Sequence, residues 1–327
     1  MKTEHFTLSA SADGLQLAAM LVLPEGGAAG EAGEAIEAGR AAAEPRAVVQ
    51  FVHGMCEHKE RYEDTMRFLA EHGYACVIHD HRGHGASVKH EKDLGFLYQG
   101  GWPAMVDDIR VVNSWIHQRF PGRKVILFGH SMGSMAVRSY VKRYDDSVDA
   151  LVVCGTPADN PVKGMGKTLA WCIGRTCGWH YRSQLLQRLS LGAYNKPFET
   201  EGWPAAWVCS DPGTLKEYHA DPLCQYVFTA NGFYNLLGLM QDCYAKRGWQ
   251  IARPALPVRF ISGAEDPCRG SDAQFQQVVD RMRQVGYANV SAKRYPGMRH
   301  EILNETRRRE VLDDLLRFFE TICQPYA

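Results

Sequence analysis

The chain has 327 residues with 37 basic and 37 acidic side chains, so its formal net charge is zero. Zero net charge argues against nucleic-acid binding as the main function, because phosphate recognition needs an excess of basic side chains. The hydrophobic fraction of 45% supplies enough apolar surface for a large core, which excludes global disorder.

The amino-terminal residues and the cysteines predict a cytoplasmic protein without a bound metal. The chain starts without the apolar stretch of a signal peptide and contains no run of 18 apolar residues. Its ten cysteines are too few for a disulfide scaffold, so we expect reduced thiols. Cys172 and Cys177 fit neither the usual zinc spacings nor a CxxC redox pair.

The first 46 residues divide into two parts of different character. Residues 5–23 predict two strands separated by a turn at Asp13 and Gly14. Residues 25–46 are almost all Ala, Gly and Glu, which cannot bury enough surface to offset their ordering entropy. This stretch predicts a solvated surface insertion, with a short Ala/Glu helix as the alternative.

Buried strands and amphipathic helices alternate from residue 47 onward. Strands are predicted at 47–52, 74–78, 125–128, 150–154, 258–261 and 290–295, and helices at 62–72, 102–120, 132–144, 272–284 and 309–323. This alternation predicts an α/β fold with a mostly parallel sheet covered by helices on both faces. It stops between residues 157 and 245, where helical stretches continue without a buried strand. We therefore expect one core in two segments, 1–156 and 246–327, with a helical insertion at 157–245.

A nucleophile is predicted where one of these strands meets the next helix, in the sequence Gly129-His130-Ser131-Met132-Gly133. This G-x-S-x-G pattern in a strand–turn–helix context is typical of a nucleophile elbow. The turn is so sharp that side chains at the two glycines would collide with neighbouring backbone. It lifts the Ser131 hydroxyl above the sheet edge, beside the free N–H groups of a helix start.

A serine nucleophile needs a histidine base, and that histidine needs an orienting carboxylate. Asp266 and His300 follow Ser131 in the expected chain order, and each comes directly after a predicted strand. Both therefore lie at carboxyl ends of strands, where α/β sheets bind ligands. Glu265 is the rival acid, but Asp266 is the shorter, stiffer orienter and Pro267 fixes its turn.

An oxyanion hole requires two backbone N–H donors. Met132, the residue after the nucleophile, supplies one of them in this pattern. We assign the other to Met55, in the loop that follows the strand at 47–52. The side chain of His53 in the same loop is expected to be structural.

Five motifs in order resemble one known family. They are His53-Gly54-Met55-Cys56-Glu57-His58 with Arg61-Tyr62, Asp80-His81-Arg82-Gly83-His84-Gly85-Ala86-Ser87, the elbow, Asp266-Pro267, and Arg299-His300-Glu301-Ile302-Leu303-Asn304-Glu305. Together they resemble the monoacylglycerol lipase and lysophospholipase group of α/β-hydrolases. The resemblance implies an α/β-hydrolase fold, the triad above, and a helical cap at 157–245 that covers the site.

The resemblance also implies roles for individual residues. Tyr218 lies in a segment similar to a lipase cap segment whose tyrosine faces the glycerol end, so it is a candidate substrate contact. Asp80, Arg82 and His84 are expected to form a structural loop beneath the site. Two further expectations come from the residues themselves: Glu57 and Arg61 pair with each other, and Cys268 is a buried bystander.

The resulting hypothesis is a serine carboxylester hydrolase that forms an acyl-enzyme and needs no cofactor. A cap rich in Trp, Leu and Phe favours a monoacylglycerol or lysophospholipid substrate and a transient contact of the cap with a membrane surface. The sequence predicts no nucleic-acid partner and sets no oligomeric state.

Three alternatives stay open. An aminopeptidase-like enzyme would need a cap carboxylate for the substrate ammonium, for which Glu201, Asp211 and Glu217 are candidates. A short-chain esterase would use the same triad. A non-catalytic binding protein is disfavoured because all three triad members are present. Ser131 also argues against dehalogenases and epoxide hydrolases, which use Asp at the elbow.

Overall fold

The computed structural model describes residues 1–25 and 44–324. Most of the predicted Ala/Gly/Glu insertion therefore lies outside the described residues, and its conformation stays a prediction. None of the helices in the described ranges is long and apolar enough to cross a membrane. All ten cysteines are free thiols, as expected from the sequence.

The strands and helices follow the predicted order, and their ends lie within a few residues of the predicted ones. The strands are β1 Lys2–Ser9, β2 Gln16–Leu23, β3 Val48–Val52, β4 Ala75–His79, β5 Val125–His130, β6 Ala150–Cys154, β7 Val258–Gly263 and β8 Val290–Tyr295. The helices are α1 Glu63–Glu71, α2 Gly101–Arg119, α3 Met132–Tyr144, α4 Lys163–Cys177, α5 Gln184–Leu191, α6 Pro212–Ala220, α7 Ala230–Tyr244, α8 Asp272–Gln284 and α9 Arg308–Cys323.

The described strands form one sheet in the order β1-β2-β4-β3-β5-β6-β7-β8. All pairs from β4 to β8 are parallel, whereas β1 pairs antiparallel with β2 and β2 pairs antiparallel with β4. The predicted α/β class with a mostly parallel sheet is confirmed. The parallel register brings the carboxyl ends of β3, β5, β6, β7 and β8 to one edge of the sheet.

The sheet is buried on both faces because its central strands carry apolar side chains at odd and at even positions, which point to opposite faces of the sheet. In β5, Val125 and Leu127 pack into a cluster with residues of α2, α3, α7 and α8. Ile126 and Phe128 point the other way, into a cluster with residues of α1 and α9. Each fully buried side chain of this kind contributes about 1.5–3 kcal/mol, so the two layers hold the strand ends in fixed positions.

Four helices, α4 to α7, lie between β6 and β7, and no described residue between these two strands forms part of a strand. They do not behave alike. Phe233 and Leu239 of α7 are fully buried in the cluster that also contains residues of α2 and α3. In contrast, α4 and α5 leave large apolar side chains exposed. The sequence did not predict this packing of α7 on the core helices.

Candidate active site

Ser131 occupies a strained turn between β5 and α3. Its φ of 53° and ψ of −118° are unfavourable for a non-glycine residue. The two flanking glycines are required by close packing. A Cβ atom on Gly129 would lie 2.5 Å from the carbonyl oxygen of Gly133, and one on Gly133 would collide with the carbonyl oxygens of Val52 and His53. The turn thus holds Ser131 against the end of β3.

The loop after β3 runs beside Ser131. A Cβ atom on Gly54 would lie 3.0 Å from the Cβ of Ser131 and 2.6 Å from Oε1 of Glu57, so a larger residue there would force its neighbours to shift. Met55 follows in that loop, and Met132 is the first residue of α3, where no preceding turn supplies an acceptor for its amide. Met55, Ser131 and Met132 line the same cavity.

His300 and Asp266 are brought together from the ends of β8 and β7. The Nδ1 atom of His300 lies 2.9 Å from Oδ2 of Asp266, and both side chains are buried. An ionised carboxylate only accepts hydrogen bonds, so this contact places the imidazole proton on Nδ1 and leaves Nε2 as the free base. Asp266 also accepts a 2.8 Å hydrogen bond from the backbone N–H of Cys268. The rival acid, Glu265, is exposed.

Two aromatic rings hold the imidazole of His300. The ring of His130 lies 4.7 Å and that of Trp207 4.9 Å from it, measured between ring centroids. Trp207 belongs to the segment between β6 and β7, so the ring of His300 is enclosed by residues of both the sheet edge and that segment. The rotational freedom of the ring is correspondingly small.

Glu57 lies at the centre of a buried network that sequence reasoning recognised only in part. It accepts hydrogen bonds from the backbone N–H of Gly54, from the Tyr62 hydroxyl at 3.1 Å and from Arg61 at 3.3 Å, and Nδ1 of His130 lies 3.1 Å away. Burial alone would raise the pKa of Glu57, but His130 and Arg61 lower it to about 2. The expected pairing of Glu57 with Arg61 is confirmed.

The same network reaches the loop that carries the base. Arg61 donates two hydrogen bonds to Glu301, of 2.6 and 2.7 Å, and Glu301 is the neighbour of His300. The Nε2 atom of His130 lies 3.3 Å from the carbonyl oxygen of His300. Burial would lower the pKa of His130, yet its contact with Glu57 raises it. The loops after β3, β5 and β8 are therefore joined by one set of buried charges.

The residues expected to be structural make hydrogen bonds within the protein. Asp80 accepts hydrogen bonds from both the backbone N–H and the Nζ of Lys59, at 2.7 and 2.9 Å. Arg82 donates to Asp108 at 2.7 and 3.0 Å. The ring of His53 accepts a 2.9 Å hydrogen bond from the backbone N–H of His81. The cavity beside Ser131 is not lined by the side chains of His53, Lys59, Asp80, Arg82 or Asp108.

A group of buried histidine rings lies behind this loop. The pKa values of His53, His79, His81 and His84 are all lowered, mainly because burial disfavours the charged ring. For His79 and His84 the pKa falls to about 4. These four rings are neutral near pH 7.

A cavity of about 510 Å³ opens onto Ser131 and His300. Its walls come from the sheet edge and from the segment between β6 and β7. Tyr218 lines it, and the guanidinium of Arg61 lies 5.2 Å from the centre of its ring. Cys268 also lines the cavity, where burial raises the pKa of its thiol well above the ordinary value. This thiol is poorly suited to act as a nucleophile.

The three carboxylates between β6 and β7 that were considered for an aminopeptidase lie away from the cavity. Glu201 forms an ion pair with Arg299. Asp211 accepts a 2.8 Å hydrogen bond from Thr214 at the start of α6, and Glu217 is exposed on the same helix. Within residues 1–25 and 44–324, none of the three carboxylates lines the cavity.

Two groups of side chains in the described ranges have the donor atoms of a metal site. Asp266, Cys268 and His300 form one, and His58, Asp221 and Cys224 form the other, each with its donor atoms within 4.8 Å of one another. A metal in the first group would replace the hydrogen bond between His300 and Asp266. In the second, both ring nitrogens of His58 are already 2.6 Å from carboxylate oxygens.

Residues 43–307 match the model of the family described as serine aminopeptidase, S33. The chain belongs to this family. The hydrolase is 30% identical over 273 residues to the monoacylglycerol lipase of Mycolicibacterium smegmatis, an alignment that covers 83% of this chain and 87% of that protein. It is 33% identical over 89 residues to human monoglyceride lipase, covering 27% and 28% of the two chains.

Solved structures give the same fold. A thermostable carboxyl esterase from Bacillus coagulans, in complex with glycerol, superposes with a TM-score of 0.86 at 23% identity, covering 99% of this hydrolase and 100% of that chain. A soluble variant of monoglyceride lipase from Saccharomyces cerevisiae gives a TM-score of 0.69 at 16% identity, covering 99% and 96%. The predicted resemblance is confirmed, and the protein is a serine hydrolase of the α/β-hydrolase fold.

Proposed function

We propose that this hydrolase cleaves carboxylic esters of the monoacylglycerol or lysophospholipid type, with Ser131, His300 and Asp266 as its catalytic triad. The observation that carries the proposal is the 2.9 Å contact between His300 and Asp266 on the cavity that Ser131 also lines. The similarity to the monoacylglycerol lipase of Mycolicibacterium smegmatis supports the substrate class.

The mechanism follows from the assignment of the imidazole proton to Nδ1. Nε2 of His300 removes the proton from the Ser131 hydroxyl as the oxygen attacks the ester carbonyl. Asp266 stabilises the imidazolium that forms. The imidazolium then gives its proton to the departing alcohol, and an acyl-enzyme remains. His300 next takes a proton from water, which attacks the acyl-enzyme and releases the carboxylic acid and Ser131.

The developing oxyanion would be bound by the backbone N–H groups of Met55 and Met132. Such preorganised donors are worth about 3–4 kcal/mol each in comparable sites. Glu57 supports them indirectly, because it accepts the hydrogen bond of Gly54 in the Met55 loop. Glu57 would therefore act as a positioning residue.

Substrate selection is assigned to residues 157–245, which we propose act as a cap. Six apolar side chains on the cavity wall, namely Met135, Leu191, Val227, Leu236, Leu237 and Met240, offer a surface for an acyl chain. Three further residues of the wall, namely Gln187, His219 and Tyr226, each have a buried polar atom without a partner among the described residues. A change of side-chain rotamer would bring these atoms to the cavity, where the hydroxyl groups of a glycerol-type headgroup would bind them. Tyr218 on the same wall is the further contact expected from the sequence.

The aminopeptidase alternative deserves a specific test because the family description names that activity. Recognition of a substrate ammonium requires an uncompensated carboxylate. Among the described residues, the only carboxylates on the cavity wall belong to Glu57 and Glu301, and both are paired with Arg61. We therefore expect no hydrolysis of aminoacyl amides.

A short-chain esterase and a non-catalytic binding protein use the same scaffold differently. Flat activity from acetate to long-chain esters would favour the former. Failure to hydrolyse any ester would favour the latter. The paired His300 and Asp266 and the strained Ser131 argue for catalysis.

A transient membrane contact is proposed for the same segment. In the described part of the chain, the large apolar side chains with the highest exposure all lie on or beside α4 and α5: Val162, Met165, Trp171, Tyr181, Leu185 and Leu189. Large apolar side chains that are exposed within one stretch of the chain offer a surface for contact with lipid. The cytoplasmic location stays a prediction.

One experiment tests the proposal as a whole. Wild type and Ser131→Ala are compared on monoacylglycerols, lysophospholipids, short esters and aminoacyl amides. We expect wild type to cleave the long-chain esters and Ser131→Ala to lose at least about a thousandfold in kcat. Wild-type activity in Ser131→Ala would contradict the nucleophile, and selective cleavage of the amides would contradict the substrate class.

A further inference from the structure

Among the residues that the structure describes, three with a formal charge line the cavity besides the histidines: Glu57, Glu301 and Arg188. The two carboxylates are neutralised inside the protein. Glu57 contacts His130 and Arg61, and Glu301 accepts two hydrogen bonds from Arg61. Both carboxylates therefore already have a partner within the protein.

Arg188 is different. It lies on α5 at the cavity and is exposed, and its guanidinium makes no hydrogen bond or ion pair with any of residues 1–25 or 44–324. Other arginines near the site are paired, as Arg61 is with Glu301 and Arg299 with Glu201. Arg188 thus leaves a positive charge uncompensated on the cavity wall.

Two neighbours on α5 add hydrogen-bonding groups at the same place. The side chains of Gln184 and Gln187 also line the cavity. The Oε1 atom of Gln187 is buried and has no partner among the described residues. The other end of the same amide, Nε2, is a hydrogen-bond donor that Gln187 can offer to a ligand at the cavity.

The sequence around Arg188 strengthens the positive charge. Residues 160–198 contain six basic side chains and no acidic one. A stretch of one charge sign focuses its potential at a cavity with low-dielectric walls and attracts ligands of the opposite sign. Nothing on α5 itself opposes this field, because the helix has no acidic residue.

We propose that Arg188, with Gln184 and Gln187, forms a subsite for the phosphate of a lysophospholipid headgroup. A guanidinium matches phosphate oxygens through two parallel N–H hydrogen bonds, which a neutral glycerol cannot replace. The inference rests on the proposed ester hydrolysis at Ser131 and narrows its substrate class. A monoacylglycerol remains a substrate, but it leaves Arg188 in solvent.

The test compares two substrates that share one acyl chain, 1-oleoylglycerol and 1-oleoylglycerol 3-phosphate, with wild type, Arg188→Gln and Arg175→Gln. Arg175 is the matched control because it is exposed on α4, has no side-chain partner among the described residues and does not line the cavity. We expect Arg188→Gln to lower kcat/KM on the phosphate substrate about tenfold. Its kcat/KM on 1-oleoylglycerol should stay within about twofold of wild type, which also reports that the variant is folded.

Ionic strength gives a second test of the contact between Arg188 and the substrate phosphate. The preference of wild type for the phosphate substrate should decrease as ionic strength rises, and Arg188→Gln should lack this dependence. Equal effects of Arg188→Gln on both substrates would overturn the subsite, and so would an equal loss in Arg175→Gln. Failure of wild type to cleave either ester would instead refute the proposed function.

Discussion

Helix α5 faces the same cavity as the sheet edge, but the side chains of α4 and α5 are placed differently from those of the edge. At the edge, Glu57 and Glu301 are buried, and each pairs with Arg61, whose side chain is 12% exposed. On α4 and α5, apolar side chains such as Met165 and Leu189 are more than half exposed. Arg188 has no partner among the described residues.

The sheet edge and the helices α4 and α5 are therefore suited to different tasks. Chemistry needs atoms held to within a fraction of an ångström, and a network with every member bonded provides that. Recognition of a lipid needs surface that is unsatisfied until the lipid arrives. The charged side chains of the edge thus already have partners within the protein. The exposed side chains of α4 and α5 would gain partners only from a ligand.

The largest effect is expected at the edge, for Asp266→Asn. An asparagine can donate to Nδ1 and favours the wrong imidazole tautomer, so kcat should fall about 10³- to 10⁴-fold. The measurement is kcat on a long-chain monoacylglycerol. The control is Glu265→Gln, which changes the exposed neighbouring acid and should leave kcat unchanged. The reverse pattern would assign the orienting role to Glu265.

Glu57→Gln tests whether the edge network is one unit. Losing the charge leaves Arg61 and His130 partly unpaired in a buried site, so the free energy of unfolding should fall by about 3 kcal/mol. Urea denaturation measures it, and kcat should fall while KM stays within about twofold. Glu63→Gln is the control, since its pair with Arg67 is at the surface and should contribute less than about 0.5 kcal/mol. If Glu57→Gln and Glu63→Gln lower the free energy of unfolding equally, Glu57 contributes no more than a surface ion pair and the network does not act as one unit.

The buried histidines predict how the core responds to acid. The pKa of His79 falls to about 4 in the folded protein, mainly through burial. Below its unfolded pKa of about 6.5 the unfolded chain binds a proton that the folded chain excludes. Stability is therefore complete above that pH and is lost as pH falls toward 4.

The variant His79→Leu should reduce this loss by on the order of 2 kcal/mol between pH 7 and pH 4. Thermal unfolding across that range measures it, with the exposed His5→Gln as the control. If stability falls with pH as steeply in His79→Leu as in wild type, groups other than His79 govern the loss of stability in acid.

The smallest effect is expected for the exposed apolar side chains of α5. Leu185 and Leu189 are one helical turn apart and both at least half exposed. Changing both to Ser should lower activity on vesicle-bound substrate about fivefold and leave activity on a soluble short ester unchanged. A matched loss on both substrates would indicate damage to the cavity rather than to membrane contact.

The sheet edge was largely predictable from the sequence because its signals are local. The boundaries of α3, α8, β6 and β8 follow from hydrophobic periodicity, and the elbow is defined by two glycines. The positions of Asp266 and His300 after their strands follow from chain order. Parallel strands then bring their carboxyl ends together whatever the loops contain.

The remaining features depend on contacts between distant residues. Arg61 pairs with Glu301 across 240 positions of the chain, and no spacing rule connects them. The packing of α7 on α2 and α3 depends on tertiary contacts, since its apolar pattern fits any buried helix equally well. The lack of a partner for Arg188 among the described residues follows only from the positions of their acidic side chains, which no sequence pattern gives.

The positive stretch at 160–198 has an electrical consequence for the whole molecule. The chain is neutral overall, so the rest of it carries six more acidic than basic side chains. The charge of this stretch is therefore opposite in sign to the net charge of the rest of the chain. An anionic surface attracts such a stretch at distances up to about a Debye length. Residues 160–198 would be drawn toward that surface before any atom touches it.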